Sequence, residues 1–562
     1  MTERTRLHVV PVSMIDRANR QAVEVYTRLE GKAIHAVLRA VDAACGEVIC
    51  EEEVGIASGE GHARAMLPCP ERARQVRWEL RSLSGELLAS EEGIWEKPRQ
   101  WRIYMMISSH TDIGLHNSQY IQRYNSSRFL KQAAALCDQT ADRAPENQYR
   151  YTVEGTWFFG NYALNHGARA AKKLVREYVK PGKIGVCAGL AGNHTQVYGL
   201  EELCRSTYEK GRLLREAGVD SHTLTMIDNN GLSWAMVGPY AEAGYRHIIF
   251  SPNQWNPLPS RTWLQETGVE GATWNTEGKG GAARIDMNFD SDLPRIFYWQ
   301  SAQGGEKILV HSGGNYGHGG VVFGLYPAAN GRSMPWITPV RRMENAMAHN
   351  LPRIEAKYPY EIWLTASYGD DQAPDLDQVN AMAAWNQQWQ WPRFEALGSP
   401  DRVLDEFREK YDAVIPTLRG DLTGGWYQHP VSAPELLADK FAADRALPTA
   451  EKLAALAALL DPDYLYPAEA FDRAWRALLC NDEHSYGTSG YQGRRVYETW
   501  MQHRAWIERA ETTARQEADA ALRCIASKIQ SNDEQVVAFN PAAQARTELL
   551  SFEGGQALSD LP

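Results

Sequence analysis

The apolar run "YMMISS" leads directly into "HTDIG", so His110 and Asp112 follow a strand-like segment two positions apart. Side chains at i and i+2 of an extended segment point the same way. An imidazole and a carboxylate so placed can grip one cation if further ligands arrive from elsewhere. Two other apolar runs end in acids: "TLTMIDNNG" in Asp228, and "IWLTASYGDD" in Asp370 and Asp371. An acid after a single strand is usually a helix cap or a solvated loop residue. Several such strand ends together mean more, because parallel α/β architectures collect their functional groups at the carboxyl ends of strands.

The elements that must position these residues show in the texture of the chain. From about Trp101 to residue 390, short apolar strands ("RIYMMISS", "KIGVCAGL", "TLTMID", "HIIFSP", "KILVHSGG", "EIWLTASYG") alternate with helical segments such as "SRFLKQAAALCDQTADR". That alternation predicts a parallel α/β barrel or sheet. Residues 1–100 carry short runs of alternating polarity separated by glycine-containing turns, the texture of an N-terminal β-domain. Within it, the acid-rich run "CEEEVG" suits a solvated strand edge. Residues 431–530 are patterned as amphipathic helices, among them "APELLADKFAADRAL" and "AEKLAALAALL", and predict a helical bundle. Strand texture returns over residues 531–562, so the chain is expected to stop just inside a further β-region.

A length of 562 residues predicts two to four domains. The formal charge of −11 argues against nucleic acid or an anionic membrane as partner, since both call for basic patches. The start "MTERTRLHVVPVSM" lacks the apolar core of a signal peptide, and no stretch has the length of apolar residues that a membrane span needs. The eight cysteines include no CxxC, which predicts reduced thiols and a cytoplasmic location, with a Cys45–Cys50 bridge as the alternative. "GGNYGHGG" is glycine-rich but lacks the lysine and hydroxyl residue of a phosphate loop.

Six segments in order resemble glycosyl hydrolase family 38, the α-mannosidases. "HTDIGL" is similar to its His-x-Asp-x-Gly signature, and "MIDNNGLSWAMVGPYAEAGYRHIIF" to its Ile-Asp, Gly-x-Ser and helix–strand segment. "FYWQSAQGGEKILVHSGGNYGHGG" resembles its aromatic strand, glycine turn and strand, and "YGDD" its Gly-Asp-Asp element. "AWRALLCNDEHSYGTSG" resembles the helix that ends in a histidine followed by Gly-Thr, and "VVAFNPAAQARTELL" the first strand of the C-terminal β-region. Two positions depart from the pattern. Leu115 stands where an aromatic residue usually follows the signature glycine, and Ser485 where an acid commonly follows the histidine.

The resemblance implies a (β/α)7-like barrel over 101–430, a three-helix bundle over 431–530, an N-terminal β-sandwich-like domain and a truncated C-terminal β-region. It implies a retaining exo-glycosidase acting on α-mannosides or related α-glycosides. His110, Asp112, Asp228 and His484 would hold one divalent ion, and a mixed nitrogen and oxygen donor set suits Zn²⁺. Asp228 would double as nucleophile and Asp371 as acid/base, with Asp370 supporting it. Asp371 would have to carry a proton near neutral pH, raised there by Asp370 or by burial. His194, Trp234, Tyr368 and Trp426 are the candidate sugar contacts, with His116, Asn193 and Trp255 behind them; core or loop roles are equally open for His116, Asn193 and His194.

The implied partner is a carbohydrate, with homo-oligomerisation left open. Two other readings stand beside this one. A metal-dependent polysaccharide deacetylase would use a similar His/Asp pair on an acyl carbon. A carbohydrate-binding relative without turnover would keep the fold alone.

Overall fold

The computed structural model describes residues 5–29, 32–110, 112–229, 231–251, 295–312, 319–325, 337–356, 358–422, 433–485, 493–530, 537–542, 544–552 and 555–561. The chain divides into two compact units. The first holds Met1–Thr111, Arg123–Gly192 and Lys210–Trp426; the second holds Asp112–Gln122, Asn193–Glu209 and Tyr427–Pro562.

The first unit begins with β1 (Arg6–Asp16), β2 (Arg20–Leu29), β3 (Ile34–Asp42), β4 (Val48–Ile56), β5 (Gly59–Pro68), β6 (Arg74–Ser82) and β7 (Leu87–Trp95). These form two antiparallel sheets, one containing β1, β2 and β5 and the other in the order β4-β3-β6-β7. Alternate residues of both sheets enter one core, with Val23, Val25 and Leu67 from the first meeting Leu38, Val76 and Trp78 from the second.

Next come β8 (Arg102–His110), β9 (Tyr151–Val153), β10 (Ile184–Val186), β11 (Thr223–Ile227), β12 (His247–Ser251), β13 (Ile296–Gln300), β14 (Lys307–Ser312), β15 (Ile362–Asp370), β16 (Trp389–Trp391), β17 (Arg393–Leu397) and β18 (Thr417–Leu418). Strand β8 is buried from Ile103 to His110, as a continuous apolar run covered on both faces should be. It pairs in parallel with β15 and β17 on its two edges. Strands β9 and β10 pair in parallel, and a further sheet runs β11-β12-β14-β13-β18. Strand β16 leaves this region and pairs with β1.

The fold is therefore mixed α/β, as expected, with one difference in direction. Strand β13 runs antiparallel to β14. Only residues 301–306 connect them, and a parallel pair would need a crossover of a dozen residues or more.

The second unit contains α1 (Leu200–Ser206), α2 (Pro434–Leu460), α3 (Ala468–Asn481), α4 (Gly493–Ser527) and a hairpin of β19 (Arg546–Phe552) with β20 (Gly555–Leu561). Three long helices share a core of Ala443, Leu447, Ala454, Trp475, Leu478, Ala510 and Ala514. The two sequence segments at the start of this region form one helix, with Pro448 inside it. Its apolar face continues through Leu447, Ala450 and Ala454, so packing on both sides of the proline outweighs the bond the proline removes.

Among the described residues no helix is long and apolar enough to cross a membrane. Cys45 and Cys50 are separate thiols, which sets aside a bridge between them.

Candidate metal centre and active site

In the first unit, β8 delivers His110 to its carboxyl end, where the ring is only 2% exposed. Nε2 lies 3.8 Å from Asp228 Oδ2, and Nδ1 lies 3.3 and 3.2 Å from the two oxygens of Glu154. Asp228 follows β11, and its amide donates to the Ser251 carbonyl at the end of β12, 2.8 Å away. On β15, which pairs along one edge of β8, Asp370 is the register partner of His110, and the Asp371 amide donates to the His110 carbonyl at 2.8 Å. Three strand ends thus meet around one histidine.

Asp228 and Asp371 share a second property. With Asn19, they are the non-glycine residues of the described chain that have left-handed backbone, at φ of +56° and +50°. Such a conformation is uncommon for a residue with a Cβ and is tolerated where the surroundings enforce it, which is often a functional site.

In the second unit, Asp112 and His484 form the corresponding pair, 3.1 Å apart between Oδ1 and Nε2. Both are buried, at 2% and 1% exposure. The other oxygen of Asp112 lies 3.2 Å from His116 Nε2. His484 Nδ1 is paired with Glu483, whose second oxygen accepts from the Ser485 amide at 3.1 Å and from the Ser485 hydroxyl. The signature glycine has a local task here. Gly114 has φ of +124°, and a Cβ on it would meet Gln119 Nε2 at 2.5 Å.

Buried charge holds the segment that carries His484. Lys440 of α2 places its ammonium 2.6 Å from Glu202 of α1 and 2.8 Å from Asp482. Burial pulls the Lys440 pKa down, but the adjacent Asp482 and Glu202 outweigh it and hold the group above its ordinary range. Burial pushes Glu202 well above the usual carboxylate range, with Asp482 adding to it and Lys440 opposing. His194 completes the frame: its amide donates to the Asp482 carbonyl at 2.8 Å, and its Nε2 donates to the His484 carbonyl at 3.0 Å.

Each pair, His110 with Asp228 in the first unit and Asp112 with His484 in the second, offers a nitrogen and an oxygen donor of the kind a metal ion takes. The distances fit that use. Zinc bonds of about 2.0–2.2 Å at a tetrahedral angle separate two ligand atoms by roughly 3.3 Å, and the nitrogen–oxygen separations in the two pairs, 3.8 and 3.1 Å, lie on either side of that value. The proton logic fits as well. A carboxylate can only accept, so Nδ1 of His110 carries the proton toward Glu154. Nε2 then presents a lone pair toward an aspartate, an arrangement that calls for a cation.

Residues 100–420 match the glycosyl hydrolases family 38 N-terminal domain. The chain belongs to this family. Among solved structures it is similar to an α-mannosidase from Enterococcus faecalis V583, with a TM-score of 0.58 and 18% identity over 80% of this chain and 46% of that one. It is also similar to a protein of glycosyl hydrolase family 38 from Enterococcus faecalis, with a TM-score of 0.50 and 15% identity over 76% of this chain and 40% of that one. At those identities the likeness is one of fold, and the chain spans less than half the length of either neighbour. No curated protein matches it.

The family assignment supports a glycoside hydrolase, and the remaining candidate residues fall as follows. Trp234 is half-buried, donates its Nε1 proton to the Gln300 carbonyl at 2.7 Å and has Arg419 5.8 Å from its ring centre. Asn193 donates from Nδ2 to the Leu479 carbonyl, 2.5 Å away, and bridges to Glu483 through its backbone. Leu115 is half-buried and His116 exposed. Tyr368 lies on β15, and its side chain and that of Asp370 are outside the described residues, as are Trp255 and Trp426 altogether.

Sequence reasoning missed Glu154, Glu483 and the trio of Lys440, Glu202 and Asp482. Glu154 directly follows β9 in "YTVEG", and Glu483 sits in "NDEHS"; a lone acid after a strand was the available signal for the first.

Proposed function

We propose that this chain is a retaining exo-glycosidase acting on α-mannosides or closely related α-glycosides, with a zinc-type ion held by His110, Asp112, Asp228 and His484. The observation that carries the reading is the pair of strand-end aspartates, Asp228 and Asp371, both in left-handed backbone, one with its carboxylate 3.8 Å from the His110 ring and the other bonded through its amide to the His110 carbonyl. Retention needs two carboxyl groups, one to attack and one to move a proton. Asp228 attacks the anomeric carbon and forms a glycosyl ester as the glycosidic bond breaks. Asp371 protonates the departing oxygen, then takes a proton from the water that cleaves the ester. When bound, the ion supplies a Lewis-acid anchor for sugar hydroxyls beside Asp228.

The test follows an aryl α-mannoside by proton NMR with wild-type and Asp228→Asn protein. The reading expects α-mannose as the first product and loss of turnover in the variant. A β-anomer first would contradict retention. Release of labelled acetate from an acetylated sugar in isotopic water would favour a deacetylase, and sugar binding without turnover a non-catalytic relative.

A further inference from the structure

We propose that Glu154 and Glu483 are positioning residues that commit both histidines of the centre to ligation through Nε2. The inference rests on the metal reading above and goes beyond its four ligands. The two units each set a glutamate against Nδ1 of a histidine, from unrelated elements and with different geometry. In the first, a carboxylate after a short strand faces Nδ1 of a histidine that ends a neighbouring strand, and the Nε2 edge turns to Asp228. In the second, a carboxylate adjacent in sequence lies in close ion-pair contact with Nδ1 of a histidine beyond a helix, without hydrogen-bond geometry between the two atoms, and the Nε2 edge turns to Asp112.

All six groups are buried, with exposures between 1% and 6%. A buried carboxylate kept beside an imidazole fixes its tautomer, its ring plane and the basicity of its far nitrogen.

Each glutamate is itself held. The Glu154 carbonyl accepts from the Thr225 hydroxyl of β11. The next residue, Gly155, approaches the neighbouring backbone so closely that a Cβ would lie 2.3 Å from the Leu190 carbonyl oxygen. Glu154 therefore has little freedom to leave His110. Glu483 shares its second oxygen between the amide and the hydroxyl of Ser485. Ser485, where the family pattern commonly has an acid after the histidine, thus serves Glu483, the acid just before that histidine.

Zinc affinity of the full-length protein, measured by competition with a chromophoric chelator, tests the proposal on wild type, Glu154→Gln, Glu483→Gln, Glu154→Asp and Glu483→Asp. Thermal melting of each zinc-free protein accompanies it. The glutamine variants should bind zinc about 10–100-fold more weakly, while zinc-free melting moves by a few degrees at most. The aspartate variants, which keep the charge, should recover part of the loss, an effect that a packing role would not produce. Unchanged affinity in the glutamine variants, or aspartate no better than glutamine, would overturn the proposal. Wild-type protein that binds no zinc would instead overturn the metal reading, so the two failures are distinct.

Discussion

His110 stands at the end of a strand with parallel neighbours on both edges, whereas His484 follows a helix and is held by side chains. In the first unit, backbone ladders do the positioning: Asp370 and Asp371 are set by the register of β15 on β8, and Asp228 by the bond from its amide to Ser251. In the second, the segment 481–485 takes its place from a buried ammonium, two buried carboxylates and the bonds of His194. A ladder is built from groups every residue has, so it tolerates side-chain change. A buried charge cluster fails when one member is removed, because the others are left uncompensated. The two halves should therefore break differently.

The largest effect belongs to the chemistry. Asp228→Asn removes the attacking carboxylate and should lower turnover of an aryl α-mannoside by at least about 10³-fold, measured against a melting temperature that moves little. A variant with near-normal turnover would show that the strand-end half is not where the reaction occurs. Next comes the charge cluster. Lys440→Met leaves Glu202 and Asp482 buried without their cation and should destabilise the second unit by about 3–5 kcal/mol in urea unfolding. A loss under ~1 kcal/mol would remove the contrast between the halves.

Acid should sharpen the comparison, because each unit holds a histidine whose pKa burial lowers. Burial lowers the pKa of His311 on β14 and of His503 on α4 from 6.5 to about 3. The unfolded chain binds a proton at each below pH ~6.5, and the folded chain does not until about pH 3, so stability falls as pH drops through that window. Each site should cost about 1.4 kcal/mol per pH unit. Unfolding at pH 7 and pH 5 in His503→Asn should show a shallower slope than wild type, and an unchanged slope would contradict the assignment. The smallest effects are single hydroxyls. Thr225→Val in the first unit and Ser485→Ala in the second should each cost about 1 kcal/mol in the same assay.

Much of this was legible in the sequence, and what was not has a physical reason. His110, Asp112 and Asp228 stood out as candidates in the sequence because an apolar run leads into each. His484 was reached through family resemblance, since a histidine beyond an amphipathic helix has no periodicity of its own. The antiparallel run of β13 was implicit in the short connection after it, but a glycine turn between two apolar strands was absorbed into the barrel pattern. Glu154 follows a strand of only three residues, Tyr151–Val153, too short to show alternation. Lys440, Glu202 and Asp482 come from three separate segments, and a lysine on an amphipathic helix is ordinarily a surface residue. Nothing local marks this one as buried; only packing brings the three together.

The measurement that bears most directly on the central claim is zinc content per chain after exhaustive dialysis, for wild type, His110→Ala and His484→Ala. If one ion is shared by the strand-end pair and the helix-end pair, wild type should retain one zinc per chain and both variants should retain essentially none. Full zinc content in either variant would contradict the account.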